Sequence, residues 1–247
     1  MVFILNYVSN AIELIDLKFN YQNIDDNNEA LVSADEYNLD YVSYFHDKNI
    51  PDSEINCYLR KTVAEKLWTV NKNLTDMKLR LRIYDGYRPL AVQQFLYNQY
   101  KYAIENSDAD NILSLNFYDY TPDNYDLTRP FMHNTGGAVD LMLVNDRDNT
   151  ELDMGCNYFH FAGLTRTAYF ERYDIDKINR DNYGSILYNI AVRANIIRDN
   201  RRILHNIMTE QGFVNLPYAY WQYDYGDALW SSVTGNTCLY NGLVLKG

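Results

Sequence analysis

Cysteine is scarce in this chain, and its three copies are badly placed for cross-linking. Cys57, Cys156 and Cys238 stand far apart and form no CxxC pair, which argues against a disulfide framework or a cysteine-based zinc site. They read as ordinary thiols, with Cys156 kept as an alternative metal ligand. Basic residues are outnumbered, 22 Lys and Arg against 33 Asp and Glu, for a net charge of -11. Nucleic acid and anionic lipid both require clustered positive charge, so neither is an expected partner; a small or cationic one is. Long hydrophobic runs are also missing, and no stretch approaches the roughly 20 apolar residues of a membrane span. The apolar start, Met1 to Val8, lacks a basic leader and a small-residue cleavage site, so a cytoplasmic location is expected. Glycine (11) and proline (5) are few, and neither a linker nor an internal repeat stands out. One domain over residues 1–247 is therefore the simpler reading, with Asn23 to Asn28 as a surface loop.

What is present suits a folded chain: 47% hydrophobic and 22% charged residues are ordinary values for a globular protein. The 24 tyrosines reflect either an aromatic binding surface or simply nucleotide composition. Leu59, Val63, Leu67, Val70 and Leu74 recur at spacings of three and four, which predicts a helix over about 56–76. Leu79, Leu81 and Ile83 then alternate with Lys78, Arg80 and Arg82, the period of a strand with one buried face, ending at the turn signal Asp85-Gly86. Pro89 can open the next helix. The pattern from Asp108 to Thr135 is irregular. Ala138 to Val144 reads as a mostly buried strand carrying Asp140, and a buried carboxylate needs a partner. Ser185 to Gln211 reads as a long helix with Ile186, Ile190, Ala194, Ile197, Leu204 and Met208 on one side, stopped by Gly212. A last strand is expected near Tyr218 to Tyr225. The sum is an α+β domain, helices packed on an antiparallel or mixed sheet.

The segment His133-Asn-Thr-Gly-Gly-Ala-Val-Asp140 sets an imidazole and a carboxylate seven residues apart, with two glycines that allow close backbone approach. Both groups are normal zinc ligands, although such a pair also occurs as a structural hydrogen bond. Tyr84-Asp-Gly-Tyr-Arg-Pro89 places Arg88 in a turn after a strand, where an arginine can clamp an oxyanion or a carboxylate. With DGYRP at 85–89, HNTGGAVD at 133–140, Met154-Gly155 and NRRILHNIMTEQGF at 200–213 in this order, the sequence resembles the zinc D-alanyl-D-alanine dipeptidases, a family related to D,D-carboxypeptidases. The resemblance covers roughly Ile12 to Gly226.

The resemblance implies that His133 and Asp140 are the first two zinc ligands and that Arg88 stabilises the tetrahedral intermediate. It also implies a Glu-x-x-His motif, general base and third ligand, where this chain reads Ala219-Tyr220-Trp221-Gln222. Alanine can neither activate water nor protonate an amine, and the neutral amide of Gln222 is a poorer ligand than imidazole. Zinc is therefore expected to be weakly bound or absent. After Met154-Gly155, where the family reads the substrate's amino terminus with an acidic residue, stand Tyr158 and Phe159. On a strand Asp224 would share a face with Gln222 at about 6.6–6.8 Å, a candidate catalytic carboxylate; the alternative has Asp224 and Asp227 as water-exposed strand-end or turn residues. His160 and His205 read as ordinary partly exposed histidines, and Arg198, Arg201 and Arg202 as a solvated face with local ion pairs. Tyr87, Tyr220 and Trp221 are the candidate substrate contacts, against core packing as the default for the aromatic run at 218–225. Three functions follow: a dipeptidase-like protein with impaired or diverged hydrolysis; a pseudoenzyme binding a peptide, a peptidoglycan fragment or a protein partner; or lyase or transferase chemistry on the same scaffold.

Overall fold

The computed structural model describes residues 7–13, 24–105, 130–159, 163–172 and 180–245. Its centre is a five-stranded sheet in the order β2-β4-β5-β7-β6, made of Asp40–Tyr41 (β2), Leu79–Asp85 (β4), Ala138–Asn145 (β5), Gln222–Asp224 (β7) and Val214–Asn215 (β6). Only the β2–β4 pair is parallel, and the rest are antiparallel. A small two-stranded sheet pairs Leu31–Ser33 (β1) with Tyr58–Arg60 (β3). Among the described residues the helices include the short Tyr44–Asp47 (α1), then Lys61–Leu74 (α2), Leu90–Glu105 (α3), Arg180–Glu210 (α4) and Ala228–Thr234 (α5). This is the α+β class read from the sequence, with a mixed sheet.

The alternation in β4 is carried through packing. Leu79, Leu81 and Ile83 are buried, while Arg80 and Arg82 turn outward to share the Asp40 carboxylate. The register places Leu81 opposite Leu143 and Ile83 opposite Leu141, so one face of the sheet is apolar. Helix α2 lies against β4 and buries Val63, Ala64, Leu67, Val70 and Leu74 completely, at about 1.5–3 kcal/mol for each large apolar side chain removed from water. Its start was read too early from periodicity alone: Tyr58 to Arg60 pair with β1 and the helix begins at Lys61.

Two other expectations need correction. The long helix expected from Ser185 is present, preceded by a kink at Gly184, whose φ of 73° and ψ of 168° are not helical, and what changes is its apolar stripe. Beyond it, Ile186 and Ile190 are exposed, and the buried stripe is Ala191, Ile197, Leu204 and Met208; hydrophobic spacing does not tell a core face from an uncovered one. The expected strand over 218–225 is regular only at Gln222–Asp224, because residues 217–221 form a turn. That turn joins two very short strands, β6 and β7, and leaves only three residues on β7 to pair with β5. The irregular stretch 108–135 is described only from residue 130 onward, and residues 1–6 of the apolar start lie outside the described residues. Among the described residues no helix is long and apolar enough to cross a membrane.

Candidate metal centre

The site forms where β4 ends and β5 begins. Ile83 pairs with Leu141, but Asp85, not Tyr84, pairs with Asp140. Two β4 residues therefore oppose one on β5, a β-bulge, which re-aims the side chains beyond it. Without it Tyr84 would stand across from Asp140. With it, the Asp85 carboxylate lies on the Asp140 side.

His133 comes from a single 3-10 turn, Met132–Thr135, closed by Gly136 at φ 72°. A Cβ on Gly136 would sit 2.4 Å from a Leu31 methyl, and one on Gly137 would sit 2.5 Å from the Tyr225 carbonyl. The pair of glycines thus lets the turn run tight between β3 and β7. It brings His133 Nε2 to 3.3 Å from Asp140 Oδ1.

The hydrogen bonds around His133 show what that pair can hold. Nδ1 is 2.9 Å from the Gly86 carbonyl and 3.2 Å from Asp85 Oδ2. Both are acceptors, so Nδ1 carries the proton, as in metal-ligating histidines whose outer nitrogen is fixed by a carbonyl or carboxylate. Nε2 and Asp140 Oδ1 are both fully buried without a hydrogen-bond partner. Two facing acceptors at this distance need a shared cation, either a proton or a metal ion. Burial is the largest influence and lowers the His133 pKa, but the charges of Asp140 and Asp85 and the contact with Asp140 together outweigh it and the net direction is upward, which favours a cation at this position. These two atoms fit two ligands of a divalent ion.

Asp85, His133 and Asp140 have ligand atoms within 4.8 Å of one another. We assign Asp85 an outer role within that triad, because it touches the Nδ1 edge of the ring and is tied to Arg88. Arg88 Nε donates to Asp85 Oδ2 at 2.7 Å, a second guanidinium nitrogen reaches the same oxygen at 2.5 Å, and a third donates to Gln93 Oε1 at 2.6 Å. The guanidinium is buried between Phe45 and Phe131, with Asp140 Oδ2 3.8 Å away. Burial raises the Asp85 pKa, and although Arg88 and His133 pull against it the net direction stays upward. Asp140 Oδ2 accepts the Tyr158 hydroxyl at 2.8 Å. Tyr158 is therefore a polar member of the cluster as well as an aromatic one, packed on Tyr84, Tyr44 and Trp221.

The β7 side is arranged differently. Gln222 stands directly across from Asp140 and Asp224 across from Ala138, so all share one face of the sheet. The Gln222 amide nitrogen donates to both oxygens of Asp224, at 3.2 and 3.3 Å. Asp224 and Asp227 are not exposed turn residues: both are completely buried. Asp227 caps α5 by accepting the Trp230 amide, while its Oδ2 has no donor. Burial, and next the neighbouring Asp227, push the Asp224 pKa far above the usual carboxylate range.

A profile for the D-ala-D-ala dipeptidase family matches residues 32–239. The chain belongs to this family. It is also similar to a D-alanyl-D-alanine dipeptidase of Synechocystis sp., with 27% identity over 187 residues, 70% of this chain and 71% of the relative. Within this dipeptidase-family chain, the other residues singled out from sequence fall in several places. Tyr87 is buried and donates its hydroxyl to the Leu243 carbonyl. Tyr220 and Trp221 are buried next to each other, and the Tyr220 hydroxyl donates to the Cys156 carbonyl. Ala219 is buried in the turn before β7. His205 is partly buried beside Asn206, and His160 lies outside the described residues. Cys156 is next to the Arg201 guanidinium, not the His133 pair.

Arg201 overturns the solvated-face reading. It is 1% exposed, donates to the carbonyls of Met154, Leu164 and Arg166, and lies between Phe170 and Tyr220. Arg202 pairs with Glu171 at 2.5 Å. Sequence reasoning missed Asp85, Gln93, Tyr158 and Asp227 as parts of the cluster. Asp85 carried a readable signal, a carboxylate three residues before the arginine. Tyr158 reaches Asp140 only through tertiary folding.

Proposed function

We propose that this chain is a diverged D-Ala-D-Ala dipeptidase-like protein that keeps half of a metal site and an anion clamp, and is impaired in dipeptide hydrolysis. The observation that carries the reading is the state of Gln222. Its amide nitrogen is committed to Asp224, so it offers the His133–Asp140 pair a neutral oxygen at most, while Ala219 supplies no acid or base. His133 Nε2 and Asp140 Oδ1 would hold a zinc ion with Gln222 as a weak third ligand. Such an ion supplies a Lewis acid and a more acidic bound water. The chain's own groups supply the rest: Asp85 holds His133 by Nδ1 and aligns Arg88, whose remaining N–H groups can meet a carboxylate or an oxyanion. A small peptide ending in a carboxylate, such as a peptidoglycan fragment, is the ligand that chemistry suits.

The test is a metal analysis of protein purified without chelators, joined to calorimetry and a hydrolysis assay with D-Ala-D-Ala. We expect substoichiometric metal, measurable peptide binding and no turnover above background. Turnover that depends on divalent metal and is lost in His133→Ala would overturn the reading. It would favour the second one, an active hydrolase with a rearranged site, which the burial of Asp224 two residues beyond Gln222 on the same strand face supports. We also read residues 1–247 as one domain and the protein as cytoplasmic.

A further inference from the structure

Two loops carry the working groups, 86–88 with Arg88 and 131–135 with His133, and they are laced directly together. The Arg88 amide donates to the His133 carbonyl at 3.0 Å, and the Asn134 side chain donates back to the Arg88 carbonyl at 3.2 Å. A third segment closes the lacing. The Leu243 carbonyl accepts from the Tyr87 hydroxyl at 2.8 Å and from the Asn134 side chain at 3.1 Å, and the Leu243 amide donates to the Asn134 carbonyl at 3.1 Å. Tyr87 and Asn134 are the chain neighbours of Arg88 and His133. Leu243 therefore bridges the residues beside both working groups, from outside the 32–239 span that the family profile matches.

The same segment is anchored at its near end. Arg60, 1% exposed, donates to the carbonyls of Thr135 at 2.7 Å and Asn241 at 3.0 Å and also to that of Glu29, with its guanidinium over the Tyr240 ring. Residues 25 and 27 donate to the carbonyls of Cys238 and Leu239. We propose that residues 241–243 are a positioning strap for the metal centre, with the Leu243 carbonyl setting the spacing and orientation of His133 relative to Arg88. The strap acts through Tyr87 and Asn134 and touches neither the metal position nor the substrate. Two loops joined only by each other can slide as a pair; a third segment fixed to Arg60 removes that freedom, as a supporting shell must for groups that need sub-ångström placement.

The inference rests on reading His133 and Arg88 as the working groups, and its test reads the His133 ring directly. The four histidines give few ring signals in a 15N-edited spectrum, so His133 can be assigned by its loss in His133→Gln. In the intact chain we expect one Nδ1-protonated ring in slow exchange with water. A chain ending at Tyr240 should stay folded by circular dichroism but exchange that proton at least tenfold faster, and adding the peptide Asn-Gly-Leu-Val-Leu-Lys-Gly should restore the slow exchange. If truncation prevents folding, Tyr87→Phe decides: it deletes one bond to Leu243 and should still speed the exchange severalfold. An unchanged His133 signal in the folded truncated chain, or in Tyr87→Phe, overturns the proposal. A parallel titration with Co2+ alone separates the two readings. Should neither chain bind cobalt, the metal reading fails while the exchange result still judges the strap.

Discussion

The two sides of the candidate centre treat polar groups in opposite ways. On the β4–β5 side, every charge has a partner of opposite sign, and two of the stranded atoms, His133 Nε2 and Asp140 Oδ1, face each other. On the β7 side, Gln222 donates to both oxygens of Asp224 and Asp227 caps α5, while one Asp227 oxygen has no donor and burial, with Asp227, pushes the Asp224 pKa far up. The first side is the open one, with two acceptors facing each other unmet, while the second turns its donors inward and is the more closed. Burial is similar on both and each holds an unmet oxygen, so neither burial nor a single unmet atom separates them; what differs is the pair of unmet acceptors that face each other on the first side.

Three substitutions can break or sharpen this contrast. The largest effect is expected from Arg88→Met, which leaves Asp85 and Asp140 without their buried counter-charge. It should cost about 3–5 kcal/mol in denaturant unfolding, and a loss below about 1 kcal/mol would mean that the open side is not charge-balanced as described. The closed side should respond with the opposite sign. The folded-state pKa of Asp224 is raised above its ordinary value, so its contribution to stability is complete below the ordinary carboxyl range and is lost as pH rises toward the folded value. Asp224→Asn mimics the protonated acid and escapes that loss. Thermal melts should show the variant gaining on the parent between pH 4 and pH 8, and a variant that falls behind as pH rises would contradict the upward shift at Asp224.

The smallest effect belongs to a group outside both sides. Burial lowers the His205 pKa, so its stabilisation is full above the ordinary histidine range and declines as pH falls below it. His205→Gln should flatten the stability profile between pH 7 and pH 5 by no more than about 1 kcal/mol. A larger change there would show that the acid sensitivity of this protein is not concentrated in the candidate centre.

Much of the open side was legible in the sequence and little of the closed side was. His133, Asp140 and Arg88 are marked by local chemistry: two glycines that must be glycines, and an arginine in a strand-end turn. Period two gave β4 and period 3.6 gave α2, because both elements bury one face against a single layer. Asp85 escaped notice because its side chain reaches Asp140 only through a bulge, a register shift that residue types do not announce. Asp224 and Asp227 were open to being read as exposed because acidic residues near a turn usually are; α5 and β5 enclose them. Ile186 and Ile190 misled in the other direction, as apolar residues at helical spacing on a surface that stays uncovered.

The central claim is that the closed side, through Ala219 and Gln222, holds this chain back from hydrolysis while the open side stays competent. The most direct test is the double variant Ala219→Glu with Gln222→His, assayed for zinc content and for D-Ala-D-Ala hydrolysis beside the unaltered chain. The account expects the unaltered protein to be inactive and zinc-poor. It expects the variant to bind zinc stoichiometrically and to turn over the dipeptide in a manner lost with His133→Ala. An unaltered chain that already hydrolyses the dipeptide as fast as the variant would contradict it, as would a folded variant that gains neither zinc nor turnover.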